Sequence, residues 1–204
     1  DPDYGSLLLE NLATRGKWAG DGVKMKIWRD GKPMDVTYEL PRYEFKNSLV
    51  PVAVPDQSPD YVIVGGLVFQ PLTTPYLQRW GGDWERTAPF RLNYFRDTEA
   101  TKSKPSLVLL SQVLPDKYNI GYQELRVAVV EKVNGLRVNS LDDVQEALKK
   151  PDGGFHVIDF MANEAVERIV LAAGKEEREA TQRVLRRFGI TDAVQIARAE
   201  KSEK

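Results

Sequence analysis

Between Val23 and Arg29 apolar and charged side chains alternate, with Val23, Met25 and Ile27 set against Lys24 and Lys26. That two-residue period marks a half-buried strand. Asp30-Gly31 supplies a tight turn and Met34 to Leu40 alternates again, so a hairpin is predicted. Upstream, Leu7, Leu8, Leu9 and Leu12 form an apolar face between Ser6, a capping residue, and Gly16. This predicts a short helix over 5–16. One helix and one hairpin in residues 1–40 are too little to close a core, so this unit reads as incomplete.

Residues 41–60 hold Pro41, Pro51, Pro55 and Pro59 and little periodicity, the pattern of an extended linker. From Tyr61 the pattern changes. Tyr61–Val64 is an apolar strand run, Gly65-Gly66 interrupts it, and Leu67–Leu72 follows. Thr74-Pro75 opens a short helix through Trp80, and Thr87 with Pro89 opens a second through about Asp97. Strands are predicted at 106–114 and 125–133, the latter turned by Asn134-Gly135. Ser140 caps a helix over 141–150, with Asp143 as its capping-box partner. Two more strands, 155–160 and 165–171, meet at Ala162-Asn163-Glu164. A tail helix over 175–188 gathers Ala180, Val184, Leu185 and Phe188 on one side, and 191–204 is expected to fray. The order helix, Gly-rich turn, strand, tight turn, strand runs through 6–40 and again through 141–171. The chain therefore reads as the back half of one module followed by a whole second copy.

Composition narrows the chemistry. The 204 residues carry 29 basic and 30 acidic side chains, an ordinary globular balance with no electrostatic footprint for nucleic acid or an anionic membrane. No apolar run approaches the ~20 residues of a membrane helix. Without cysteine there are no disulfides, Cys-based zinc sites, iron–sulfur clusters or thiol nucleophiles, and the redox compartment stays open. The abrupt start at Asp1-Pro2-Asp3 suits a mature product or an excised fragment. The one histidine, His156, shares a strand face with Ile158 and Phe160, which favours a core histidine over a catalytic base. Asp1, Asp3 and Gly5 superficially suggest a calcium loop, but Leu12 stands where a bidentate Glu is needed. Asp142-Asp143 suit a helix first turn better than acid–base work. No catalytic set, metal or cofactor is expected. Tyr76, Trp80, Trp84, Phe90, Tyr94 and Phe95 cluster in a way that suits a core or a protein interface more than a small-molecule pocket.

Ser111-Gln112-Val113-Leu114-Pro115 after an apolar strand, then Val133-Asn134-Gly135, Val138 and a capped helix ending in Ala147-Leu148, together resemble the PDZ domains of HtrA/Deg-type serine proteases. Gly66–Thr73 with Pro75-Tyr76-Leu77 is similar to the C-terminal PDZ region of a Deg subgroup well known from plants. Its members insert helices after the first strand and add a helical tail. The usual small-residue and Gly-Asp segment is replaced here by Ile120–Leu125, and the trypsin-like catalytic domain is absent. The resemblance implies an α+β chain. Residues 1–40 are a partial PDZ-like unit, 41–60 the linker, and 61–172 a PDZ-like β-barrel or sandwich with helices inserted at 74–97. The helical tail is 173–204.

It also implies a non-catalytic peptide-binding, regulatory and assembly region of a serine endopeptidase, engaged in protein quality control, that captures an extended peptide by strand addition. The alternative is a stand-alone PDZ scaffold unrelated to proteolysis. The carboxylate-binding loop would be Gly65, Gly66, Leu67, Val68 and Phe69, with Leu141, Val144, Gln145 and Leu148 as the helix wall. Residues 61–78 contain no Arg or Lys to add charge, so weak capture of free C-termini is expected. A groove filled by the linker or by the tail beyond Phe188 suits this better. A plainer alternative makes Gly65-Gly66 only a tight strand bend. Expected partners are peptide or protein segments and further copies of the chain, with neither nucleic acid nor membrane insertion. A bacterial member would be periplasmic or otherwise exported.

Overall fold

The computed structural model describes residues 5, 11, 14–40, 42, 48–52, 58–162 and 164–196. They fall into two compact units, Asp1–Glu44 and Phe45–Lys204.

In the first unit, strands β1 (Gly22–Arg29) and β2 (Lys32–Glu39) form the expected antiparallel hairpin. Asp30 and Gly31 turn it with φ of 52° and 74°, the left-handed pair that a two-residue hairpin turn demands. Cross-strand partners Val23–Tyr38, Met25–Val36 and Ile27–Met34 share one face, and Lys24–Thr37 and Lys26–Asp35 share the other. Of the expected helix over 5–16, Asn11 and Thr14 are helical, while Ser6, Leu7, Leu8, Leu9 and Leu12 lie outside the described residues.

The second unit is built on an eight-stranded sheet. Its strands are β3 (Tyr61–Val64), β4 (Leu67–Pro71), β5 (Val108–Val113), β6 (Ala128–Val133) and β7 (Leu136–Arg137). They continue with β8 (Phe155–Phe160), β9 (Arg168–Ala172) and β10 (Val194–Gln195). The order is β10-β3-β4-β5-β6-β8-β9, with β7 beside β6, and these pairings are antiparallel. Because the path has two ends, the expected barrel is not closed. The continuous apolar runs at 61–64 and 107–110 follow from burial on both faces.

Leu67, Phe69, Val108 and Leu110 join Leu141, Val144 and Ala147 of helix α4 (Leu141–Leu148) in one apolar layer. Leu107, Leu109 and Val129 point the other way, toward the inserted helices α1 (Thr74–Gln78), α2 (Trp84–Thr87) and α3 (Phe90–Asn93). On that same side Ile63, Val68 and Leu114 meet Val184 of α5 (Lys175–Phe188), a smaller layer of its own.

Several local expectations change. Thr73, not Thr74, caps α1: its hydroxyl accepts from the Tyr76 N–H at 3.3 Å. The helix expected from Thr87 to Asp97 begins only at Phe90, as α3 followed by a 3₁₀ turn, while Thr87 instead ends α2, because Ala88 is extended ahead of Pro89. The strand expected from Leu125 starts at Ala128, since Val127 bends the chain with φ of 60°. Residues 41–60 are not a linker throughout. Leu49 and Val50 are each 1% exposed within the second apolar layer, and the Leu49 N–H donates to the Thr98 carbonyl at 2.9 Å. The tail is not a free appendage: Ala180 and Val184 are buried, and the segment expected to fray supplies β10. Residues 197–204 and the turn residue Asn163 lie outside the described residues.

Candidate functional site

The nine residues singled out for a peptide groove lie on two elements. Gly65 and Gly66 form a two-residue turn between β3 and β4, with φ of 56° and 90°. A side chain on Gly65 would strike the Tyr118 ring, and one on Gly66 the Asn119 amide and the Leu114 carbonyl, so conformation and space both demand glycine. Three of the turn's four backbone polar groups are bonded within the chain. The Gly65 N–H donates to Thr181 Oγ1 at 2.7 Å, and Asn119 Nδ2 donates to the carbonyls of Gly65 and Leu114 at 2.9 and 2.8 Å. The Leu114 N–H donates to the Gly66 carbonyl at 2.7 Å. This turn is a tight bend.

Beyond it, Leu67, Val68 and Phe69 are buried, and β4 is paired on both sides. Leu67 faces Val64 of β3 and Val113 of β5; Phe69 faces Val62 and Leu110. On the helix side, Leu141 and Val144 are buried, while Gln145 and Leu148 are half-buried. Val62 and Val64 of β3 pack in the same apolar layer as Leu141 and Val144. The structure thus brings β3, β4 and α4 together in one apolar layer, with β3 hydrogen-bonded to β4. Val68 is on the opposite face, with Val184. Among the described residues of the proline-rich segment and the tail, none pairs with β4, whose partners are β3 and β5. The tail pairs one strand further out, Val194 with Val62 and Gln195 with Tyr61.

Other polar residues fix this arrangement and carry weaker sequence signals. Asp116 caps a 3₁₀ turn at Lys117–Asn119 by accepting from the Tyr118 N–H, and Asn119 Oδ1 accepts from the Asp116 N–H, each at 3.0 Å. The Asp-x-x-Asn spacing is the signal for it. Arg183 of α5 reaches the Asp116 carboxylate with Nε at 3.0 Å and Nη2 at 2.7 Å. That bond, outweighing some desolvation, holds the Asp116 carboxyl below its ordinary value. Burial, then the carboxylates of Glu177 and Glu176, push the Tyr118 phenol well above its ordinary value. Its hydroxyl donates to the Ala172 carbonyl at 2.5 Å.

His156 is 4% exposed. Its Nδ1 lies 3.3 Å from Asn134 Nδ2, and its Nε2 lies 3.3 Å from Glu177 Oε2. With Nδ1 accepting from the amide, Nε2 carries the proton and donates to the carboxylate. Burial raises the Glu177 carboxyl, but the His156 bond, the Gly174 N–H and nearby positive charge together leave it lowered. The pair ties β8 to α5, and among the described residues the side chains bonded to His156 are those of Asn134 and Glu177, neither of them a hydroxyl. Among the described residues no group of three or more His, Asp or Glu side chains is placed to hold a metal ion.

The aromatic cluster divides. Tyr76, Trp80, Trp84 and Phe95 pack against the second apolar layer, whereas Phe90 is 82% and Tyr94 64% exposed.

A family model described as a PDZ domain matches residues 50–195. Three Arabidopsis thaliana proteins are similar along most of the chain. "Protease Do-like 2, chloroplastic" is 29% identical over 176 residues, 85% of this chain and 27% of that protein. "Putative protease Do-like 3, mitochondrial" is 29% identical over 182 residues, covering 83% and 28%. "Putative protease Do-like 12, mitochondrial" is 27% identical over 179 residues, covering 85% and 30%. The chain therefore spans less than a third of the length of these curated relatives.

Proposed function

Because the chain belongs to the PDZ-domain family, with its match running from residue 50 to 195, we propose that it is the protein-interaction region of a Deg/HtrA-type serine endopeptidase and is itself non-catalytic. A PDZ domain recognises protein segments through a strand edge beside a helix. Here one observation carries the reading: β3 and β10 already extend the sheet at the edge of β4 that would receive a peptide. The region therefore acts by holding protein surfaces in place more than by capturing free C-termini.

Titrating a random C-terminal peptide library against the full chain tests this. Binding weaker than low micromolar, unchanged when the peptide carboxylate is blocked, is the expected result. Low-micromolar binding abolished by blocking the carboxylate contradicts it. A protease assay on the purified chain should show no inhibitor-sensitive turnover.

A second use, assembly of protomers, is favoured by the exposed rings of Phe90 and Tyr94, 6.3 Å apart on the inserted helices. Light scattering after size exclusion should show a smaller particle for the Phe90→Ser, Tyr94→Ser double variant. An unchanged mass removes the helices from the interface. A stand-alone scaffold remains the alternative in a different class, and the coding region around this segment separates the two: a Ser-His-Asp domain in the same reading frame sets the parentage.

A further inference from the structure

An open depression lies between the 115–123 loop and the last two turns of α5, and none of its lining residues belongs to the β3–β4–α4 layer. Its lining includes Lys117, Ile120, Gln123, Arg183 and Arg187. The loop is held rigidly. Asn119 is fully buried and bonds the Gly65 and Leu114 carbonyls, and Gln123 Nε2 donates to the Asp116 carbonyl and to Asn119 Oδ1 at 3.2 and 3.3 Å. The spacing of the side chains that the loop presents is therefore preformed, which lowers the ordering cost of binding.

The charges in this depression are not equivalent. Arg183 is committed to Asp116, and Glu176 and Glu179 also act on it from earlier turns of the same helix. Lys117 and Arg187 are both exposed and make no ion pair among the described residues, although the Asp116 carboxylate, which also lines the depression, feels the Lys117 charge. Arg187 donates to the Pro115 carbonyl at 3.3 Å and lies 5.6 Å from the centre of the Phe188 ring. In the same depression Ile120 is 71% exposed. The helix dipole accounts for a cation in the last turn of α5. It does not bear on Lys117 and Ile120, which stand on the 115–123 loop. Two cations in a chain of net charge −1 are also too small a footprint for a phosphate backbone.

We infer that this depression docks an acidic segment of a partner protein, whose apolar side chain covers Ile120 and whose carboxylates pair with Lys117 and Arg187. The depression's lining shares no residue with β4, although its loop also closes the Gly65-Gly66 turn, so NMR mapping separates binding here from binding at the β4 edge.

The test uses the full chain and a fluorescein-labelled peptide, Gly-Gly-Asp-Glu-Leu-Glu-Asp-Gly-Gly, amidated at its C-terminus to exclude carboxylate-end capture. A counterpart with Asn and Gln replacing the acids is the control. Anisotropy should show binding of the acidic peptide alone, weakening as salt is raised. Lys117→Glu with Arg187→Glu should weaken it at least tenfold, and Ile120→Ser several-fold. All three side chains are exposed, so circular dichroism should be unchanged. Amide perturbations in NMR spectra should map to 115–123 and 183–188. Equal binding of the two peptides, no binding at millimolar concentration, insensitivity to the variants, or perturbations elsewhere would each overturn the inference. So would charge-dependent binding to phosphatidylserine vesicles without binding of the peptide.

Discussion

Gly65 and Gly66 show how much one dipeptide can decide. Both lie in the left-handed region, and both are closed in by Tyr118, Asn119 and the Leu114 carbonyl. Replacing either with alanine adds the conformational penalty of a left-handed L-residue, about 1–2 kcal/mol, before any clash is relieved. Urea unfolding should therefore show each variant destabilised by at least that amount, with Gly66→Ala the worse because backbone stands in its way. Alanine variants as stable as the parent would mean that the turn is not built this way. Tyr118 supplies a pH test. Its folded-state phenol titrates above its unfolded value, so its contribution to stability is complete below about pH 10 and is lost as pH rises toward the folded value. Tyr118→Phe, which keeps the ring and drops the hydroxyl, should flatten the loss of melting temperature between pH 9 and 11. An unchanged alkaline slope would contradict it. The partners of His156 were not readable from periodicity. Patterning gives the face of a strand, but Glu177 lies 21 residues away on another element, and only the packing of α5 brings them together.

At the scale of elements, the strands were legible because burial leaves a period or a run. Residues 155–160 and 175–188 appear with the expected bounds. What a run does not reveal is its neighbour. Tyr61–Val64 reads as a strand either way, but an unbroken apolar run signals cover on both faces, which suits a strand inside a sheet better than one at its rim. Proline content misled at 48–50: four prolines in 41–60 suggested a spacer, yet the Leu-Val pair between them is buried. Leu49→Ala should accordingly cost about 2–5 kcal/mol, the range for truncating a buried leucine. A change below 0.5 kcal/mol, as for a surface position, would return 48–50 to the linker. The inserted helices are pinned through Arg91, which reaches Glu164 at 2.5 Å and donates to the Val127 carbonyl at 2.7 Å. Glu164 in turn accepts from the Val129 N–H at 3.0 Å. No pattern in the sequence joins these residues.

For the whole molecule, the topology places the functional question at one rim of the sheet. Seen from β4, the chain adds β3 and then β10 on the side away from β5, and under the proposed function that is the side a peptide would approach. Of the nine residues read from the sequence, Leu67, Phe69, Leu141 and Val144, with Leu148 at its margin, share one apolar layer with β3, whereas Val68 belongs to the layer on the opposite face. The pairing leaves a local signature. In a hairpin with a two-residue turn, Leu67 and Phe69 direct their N–H groups at β3, while Val68 faces away from it. Amide hydrogen exchange followed by NMR on the chain alone, with no peptide present, tests this most directly. The account predicts that the Leu67 and Phe69 amides exchange as slowly as those of β5 and β6, near the limit set by global unfolding. Exchange of these two amides within minutes, slowed only when a peptide is added, would mean that the β4 edge is open and would contradict it.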